Sequence, residues 1–412
     1  MNREFDVIIW GATGFTGRLV AEHLCRRHGP SGDLRWALGG RNQAKLESVR
    51  ESLGDSAKDL PIVLGEGLDL DSMHLVAKKA KVVCSTVGPY AKYGSPIVQA
   101  CAENGTDYCD LTGEIHWMQK MIDAHSAAAA STGARLVHTC GFDCIPSDLG
   151  TWFIQKEMQE RHGVVSPAVK MRVQAFRGGA SGGTIASMLN MMDEAKKDPS
   201  VMQAMNHPYA INPEGQRSGP DEPESFRPYH DEDFGEWVAP FVMAGVDTKV
   251  VRRTNALLGY QYGQGFRYNE GMLMGSGPIG AIKAGATTAG VGAGMALATV
   301  SPVRSLFAQR MPAPGEGPSP EIQAAGFFDL RFFAQHPSEP NHSLHARVTG
   351  DRDPGYGATS RMLGEAAVGL ARDDLQAKGG FWTPASLGGV KLLDRLTQHA
   401  GMSFEIVDRP HG

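Results

Sequence analysis

The chain has 412 residues, 42% of them hydrophobic and 21% charged, with a formal net charge of −5. That length holds two domains with separate cores, and the mildly acidic balance excludes nucleic acid as the natural partner. The six cysteines (Cys25, Cys84, Cys101, Cys109, Cys140, Cys144) form no CxxC pair and no regular framework, so they read as reduced, buried thiols of a cytoplasmic protein.

Arg3, Glu4 and Asp6 interrupt any apolar run at the start, so no signal peptide is expected. A strand from Phe5 to Trp10 leads into Gly11-Ala-Thr-Gly-Phe-Thr-Gly17, and an amphipathic helix is expected from about Phe15 to Arg27. Gly11, Gly14 and Gly17 are spaced by three. The first permits a sharp turn, the second lets backbone approach a pyrophosphate, and the third lets the helix pack on its strand. With Thr13, Phe15 and Thr16 they form an expected phosphate cradle, since a helix N-terminus presents free N–H groups and a partial positive charge. The second strand, from Leu34, ends at Arg41 and Asn42. An NAD site would place an acid there for the ribose 2′-OH, whereas arginine pairs with a 2′-phosphate. NADP is therefore favoured and NAD stays open; the plain alternative is a solvated arginine at a turn.

Pro61–Leu64 reads as the third strand. Asp69 follows it and either touches the adenine end of a cofactor or caps the helix that starts near Asp71. Lys81–Val87 is the fourth strand, and Thr86, Val87, Gly88 and Pro89 in its loop are expected to line the ribose and nicotinamide. A helix (94–104), a strand (107–110), a long helix (114–131), a strand (135–140) and a further helix complete the alternation. The pattern predicts an α/β fold, a Rossmann-type doubly wound parallel sheet over residues 1–160.

Beyond residue 165 the pattern changes. Val173–Phe176, Trp237–Ala244, Thr248–Arg252, Phe266–Met274, Phe328–Ala334 and Ser343–Val348 read as strands without regular helices between them. A second, α+β domain with a mostly antiparallel sheet is expected over 161–355. Asn206–Asp233 is a polar excursion or lid. Ala284–Val303 carries no charge and is rich in Gly, Ala, Thr and Val. It is long enough for a span but weakly apolar, so it reads as interdomain packing or a peripheral lipid contact. The Pro- and Gly-rich run Met311–Pro320 is turn chemistry. Residues 356–412 are expected to be helical from Gly357 to His399, returning to the first domain.

Several motifs together resemble the saccharopine-dehydrogenase-like oxidoreductases, and within them the trans-acting enoyl reductase branch. They are Gly11–Gly17, Gly39-Gly-Arg-Asn42, Ser85-Thr-Val-Gly-Pro-Tyr90, Tyr108-Cys-Asp-Leu-Thr-Gly-Glu114, Pro314-Gly-Glu-Gly-Pro318, Gly350-Asp-Arg-Asp-Pro-Gly-Tyr-Gly357 and Thr383-Pro-Ala-Ser386. The resemblance implies a nicotinamide-binding domain, an α+β substrate domain and, in some members, reduction of an enoyl group on a lipid-like polyketide. One loop departs from it. Saccharopine reductases resemble Gly-x-Asp-Pro-Gly where this chain has Gly141-Phe-Asp-Cys-Ile-Pro146, which argues against an amino-acid substrate.

A reductase of this kind needs a proton donor beside the nicotinamide. The candidates are Tyr90, Tyr93 and Asp143, each with a bland alternative: wet packing for the tyrosines, helix capping for Asp143. Asp110 and Glu114 border the same cleft, with Asp110 able instead to organise its turn. His138 reads as a core histidine, and His342 with His345 gives no metal set, so no metal is expected. The reading is NADPH-dependent reduction of an enoyl or related group on a small, acyl or lipid-like substrate. The alternatives are a C–N dehydrogenase acting on an amino-acid-like molecule and a dinucleotide-binding scaffold at lipid surfaces. A homodimer is compatible with either.

Overall fold

A computed structural model of the protein describes residues 3–179, 182–298 and 316–408. The run Phe-Asp-Val-Ile-Ile-Trp forms β1 (Phe5–Trp10), buried along its whole length. Strands covered by helices on both faces take apolar side chains on both. Beside it lie β2 (Trp36–Gly40), β3 (Ile62–Leu64), β4 (Ala80–Ser85), β5 (Asp107–Cys109) and β6 (Arg135–Val137). A late strand, β13 (Gly380–Trp382), adds a seventh. The order β13-β6-β5-β4-β1-β2-β3 is parallel throughout. The strand order therefore reverses between β1 and β4, which puts the ends of these two strands at the crevice where such sheets bind ligands.

The second sheet holds β7 (Ala168–Arg177), β8 (Tyr229–Asp231), β9 (Glu236–Ala239), β10 (Arg267–Leu273), β11 (Phe327–Ala334), β12 (Leu344–Gly350) and β14 (Met402–Val407). Its order is β14-β12-β11-β7-β10-β9-β8, antiparallel except for the β7–β10 pair.

Four expectations need correcting. Thr248–Arg252 is helical, part of a helix spanning Ala244–Leu257. That helix is buried nearly all round, which erases the 3.6-residue alternation and leaves Val250-Val251 looking like a strand. The strand expected over Trp237–Ala244 stops at Ala239, because Pro240 cannot donate to the ladder. Regular helices also stand between the strands of this domain, including Gly182–Lys197, Pro199–Asn206 and Gly277–Ala298. In the tail, β13 divides the helices Thr359–Arg372 and Pro384–His399.

The Gly/Ala-rich segment from Ala284 lies in the Gly277–Ala298 helix, with Ile279, Ile282 and Leu297 exposed; residues 299–303 lie outside the described residues. Among those described, no helix is long and apolar enough to cross a membrane. The polar excursion is anchored rather than loose. The buried Arg252 guanidinium donates to Asp221, Glu224 and the Pro208 carbonyl, and Arg253 donates to the Ile211 carbonyl. All six cysteines are free thiols, and only Cys25 is not buried.

The middle of the second sheet is held by a charge. Arg172 on β7 is wholly buried and donates to Asp231 on β8, the Tyr229 hydroxyl and Asn269 on β10. Removing one partner of a buried ion pair leaves an uncompensated charge, at a cost of about 3–5 kcal/mol. Asp231→Ala is expected to destabilise the protein by that amount, read from urea unfolding midpoints.

Candidate active site

The turn after β1 and the loop after β4 touch. Gly11 has φ +90°, and a Cβ there would lie 2.6 Å from Val87 Cγ2 and 2.9 Å from Thr86 Oγ1. Only glycine adopts that φ freely and leaves the gap open. Thr86 Oγ1 donates to the carbonyls of Trp10 (3.3 Å) and Gly11 (3.1 Å), tying the two loops together. A Cβ on Gly17 would lie 2.3 Å from the Gly11 carbonyl oxygen, so the helix Phe15–His28 approaches the turn this closely only with glycine there. No side chain caps that helix. Its first N–H groups, with Thr13, Gly14, Phe15 and Thr16 around them, are left to an external acceptor.

Arg41 and Asn42 follow β2 and are exposed. Asn42 accepts from Lys45 N–H at 3.0 Å and caps the next helix, whereas Arg41 has no partner among the described residues. Asp69 accepts from Asp71 N–H at 3.1 Å, which is the capping arrangement.

The β4 loop, Thr86-Val-Gly-Pro89, runs into a short helix, Tyr90–Tyr93. Glu114 is buried and accepts the N–H groups of Tyr90 (2.8 Å) and Ala91 (2.9 Å), fixing that helix start. Burial raises the Glu114 pKa, opposed by these two amide hydrogen bonds and by a further one from the Ser187 hydroxyl. Ser187 lies on the helix Gly182–Lys197, and a Cβ on Gly88 would be 3.3 Å from its hydroxyl. His116 and Glu194, 2.7 Å apart, fasten the same helix to Ile115–Thr132. This helix is the cover of the β4 loop. Sequence reasoning missed it because its position is set by contacts distant in the chain.

The proton-donor candidates separate. Tyr90 is buried, its hydroxyl donates to the Ser85 carbonyl at 3.2 Å, and burial with Asp110 nearby raises its pKa well above the phenol range. Tyr93 is 38% exposed. Asp110 is wholly buried and accepts from the Tyr108 hydroxyl, Thr112 N–H and Thr139 N–H, and it faces His138 Nδ1 at 2.8 Å. It holds the ends of β5 and β6 together. Asp143, in the β6 loop, has no hydrogen-bond partner among the described residues, and burial pushes its pKa to about 6.

Behind Asp143 the fold gathers carboxyls that the sequence does not place together. Asp247, on the Ala244–Leu257 helix, accepts from the Cys144 thiol (3.4 Å) and the Ser147 hydroxyl (3.5 Å). Burial first, then Glu270 and Asp143, raises it well above the carboxylate range. Glu270 on β10 accepts from the Tyr268 hydroxyl at 2.8 Å and is pushed by burial to about 7. Asp148 accepts the Ala385 N–H at 2.8 Å and is likewise pushed to about 7.

Segments from the second half of the chain complete the nucleotide turn. Phe15 packs edge-on against Tyr356, with ring centroids 5.2 Å apart, and fills the space where a Cβ on Gly317 would stand. Asp353 accepts from Tyr356 N–H and Gly179 N–H. Of the Pro314–Pro318 motif, only residues 316–318 are described. His342, which with His345 gives no metal set, instead meets His162 and His336 at the far end of the Ile145–His162 helix.

This geometry is that of a dinucleotide-binding oxidoreductase with a substrate domain. Residues 7–137 match the family model of the saccharopine dehydrogenase NADP binding domain. The chain is 40% identical over 417 residues (98% of it, 97% of the other) to a Mycobacterium tuberculosis relative that carries the trans-acting enoyl reductase name provisionally. It is 36% identical over 411 residues, 96% of each chain, to the trans-acting enoyl reductase of Mycobacterium ulcerans. The fold is also that of apo saccharopine dehydrogenase (L-Glu forming) from Saccharomyces cerevisiae, with a TM-score of 0.54, 11% identity, and 98% and 100% of the two chains covered. The chain is an NADP-binding oxidoreductase of the saccharopine-dehydrogenase type. It belongs to the trans-acting enoyl reductase family.

Burial raises the Glu270 pKa from an ordinary 4.5 to about 7. An acid with a raised folded pKa is protonated in both states at low pH, and its ionisation weakens the folded state as pH rises through the gap. The stability of Glu270→Gln relative to the parent protein is therefore expected to improve between pH 4.5 and 7 and to level off above 7. Urea midpoints across that range measure it.

Proposed function

We propose that the protein uses NADPH to reduce a carbon–carbon double bond conjugated to a carbonyl in an acyl, lipid-like substrate. The observation that carries this reading is the pairing of full-length similarity to proteins named trans-acting enoyl reductases with a cleft carboxyl, Asp143, that has no partner. The exposed apolar residues of the Gly277–Ala298 helix support an acyl-chain or peripheral lipid contact.

The described residues fit the cofactor. In this reading Gly11, Thr13, Gly14, Phe15, Thr16 and Gly17 hold the pyrophosphate, Arg41 pairs with the 2′-phosphate beside Asn42, and Thr86, Val87, Gly88 and Pro89 border the nicotinamide. Asp69 serves as a helix cap. NADPH, when bound, would supply the hydride for the carbon β to the carbonyl. Asp143 would give the proton to the α carbon, so that the double bond becomes a single bond with the hydride and one proton accounted for. Asp143 regains its proton from water. A pKa near 6 keeps a useful fraction protonated at neutral pH while leaving the acid strong enough to donate. Tyr93, exposed at the end of the short helix after the β4 loop, is the alternative donor. Tyr90 is committed to the Ser85 carbonyl and acts as packing.

Arg41→Ala is expected to raise the Kd for NADPH about 10-fold or more and to leave the Kd for NADH within about twofold, because a charge-assisted pair is at stake. Fluorescence titration with both cofactors measures this; equal losses would remove the 2′-phosphate role. With an enoyl thioester as substrate, Asp143→Asn is expected to lower kcat by about 10²–10⁴ and to abolish the pH limb near 6. An unchanged profile in that variant, with Tyr93→Phe showing the loss instead, would transfer the donor role.

A further inference from the structure

We propose that His162, His336 and His342 form a binding site for a late first-row divalent cation such as Zn²⁺, remote from the cofactor cleft. Two segments distant in the chain supply the rings, the end of one helix and the connection between β11 and β12. His162 ends the 18-residue helix Ile145–His162, His336 follows β11, and His342 closes the short 3₁₀ helix Pro340–His342. One ring nitrogen from each lies within 4.8 Å of the others. The ring centroids are 5.5, 4.9 and 5.6 Å apart. Imidazoles bound to one zinc ion at about 2.0–2.1 Å hold their centroids about 3 Å from it, and so about 5 Å from one another at tetrahedral angles. The centroid spacings match that arrangement, and small ring rotations bring the nitrogens onto one ion.

The surroundings also suit coordination. Glu339 Oε2 is 3.1 Å from His342 Nδ1, the carboxylate–histidine contact that directs Nε2 toward a metal and raises its basicity. Neither nitrogen of His162 has a hydrogen-bond partner among the described residues. His336 is the buried member, and its Nδ1 accepts the Glu339 N–H at 2.9 Å. A neutral imidazole has one lone pair on its ring nitrogens. Coordination through Nδ1 takes that lone pair, and coordination through Nε2 moves the ring proton to Nδ1. By either route the ion replaces the amide contact, so binding adjusts the turn at Ser338–Glu339. Nitrogen ligands alone select zinc, nickel or copper over magnesium and calcium.

The site sits at the far end of a helix whose first turn follows the Asp143 loop, about 25 Å away at 1.5 Å per residue. Its effect is to clamp that helix to the β11–β12 connection, so it adds stability by binding the folded state alone. The test uses the full chain, freed of metal by chelation and titrated with Zn²⁺ by calorimetry and thermal unfolding. One equivalent is expected to bind saturably and to raise Tm. His342→Ala, at an exposed position, is expected to weaken binding at least about tenfold, and Glu339→Gln about tenfold. The double variant His162→Ala, His342→Ala is expected to bind no zinc while its metal-free Tm stays near the parent's. Absence of saturable binding to the parent overturns the site. So does parental affinity in His342→Ala or, should the double variant fail to fold, in His342→Ala with Glu339→Gln.

Discussion

The constraint on which the rest of the molecule depends is the contact between the β1 turn and the β4 loop. Two parallel strands at a reversal of strand order send their connections to opposite faces, leaving a gap between their carboxyl ends. In this chain the gap is lined by backbone, because Gly11 carries no side chain and Thr86 satisfies the Trp10 and Gly11 carbonyls. A larger residue at Gly11 would push Val87 outward and move the β4 loop with it. Glu114 then fixes the far side of that loop through two amides, and Ser187 closes over it. The β1 turn and the β4 loop are thus one connected piece of backbone.

The second half of the chain is bound into this arrangement at several places. Thr359 Oγ1 accepts the Phe142 N–H at 2.9 Å, so the loop bearing Asp143 is held by the helix Thr359–Arg372. One turn and a half further on, the buried Glu365 meets His23 Nε2 at 2.8 Å and Arg27 at 3.3 Å on the helix that begins at the nucleotide turn. Arg395 on the following helix approaches the same carboxylate. The tail also gives β13 to the first sheet and β14 to the second. A displacement of either sheet would strain both, which is how a cleft built from distant segments keeps a fixed width.

Much of the first sheet is legible in the sequence, because its signals are local. Alternating strands and helices, glycines at fixed spacing and Arg41 at the end of β2 each follow from a few adjacent residues. What the sequence conceals depends on burial by distant partners. The Ala244–Leu257 helix is enclosed on all sides, so its periodicity vanishes and Val250-Val251 mimics a strand. The strand β13 has three residues and exists because β6 is there to pair with it. Likewise Asp247 and Glu270 are ordinary acids in sequence, and only the packing of their helix and strand behind the Asp143 loop makes them a buried pair. The resemblance motifs around Gly317 and Tyr356 likewise gain their meaning from Phe15, which they cover.

The same packing bears on the choice of substrate. A site for a dicarboxylic amino acid needs guanidinium groups free to meet carboxylates, usually in bidentate pairs. The buried arginines of the second domain are already engaged within the fold. Arg172 serves Asp231, Arg252 serves Asp221 and Glu224, and Arg253 donates to the Ile211 and Phe381 carbonyls. Arg331 and Arg347 converge on Asp329. Behind the Asp143 loop the accumulated groups are carboxyls, and burial favours their neutral forms. The fold shared with saccharopine dehydrogenase thus uses its buried cations to hold the second sheet together, while its buried acids collect behind the Asp143 loop.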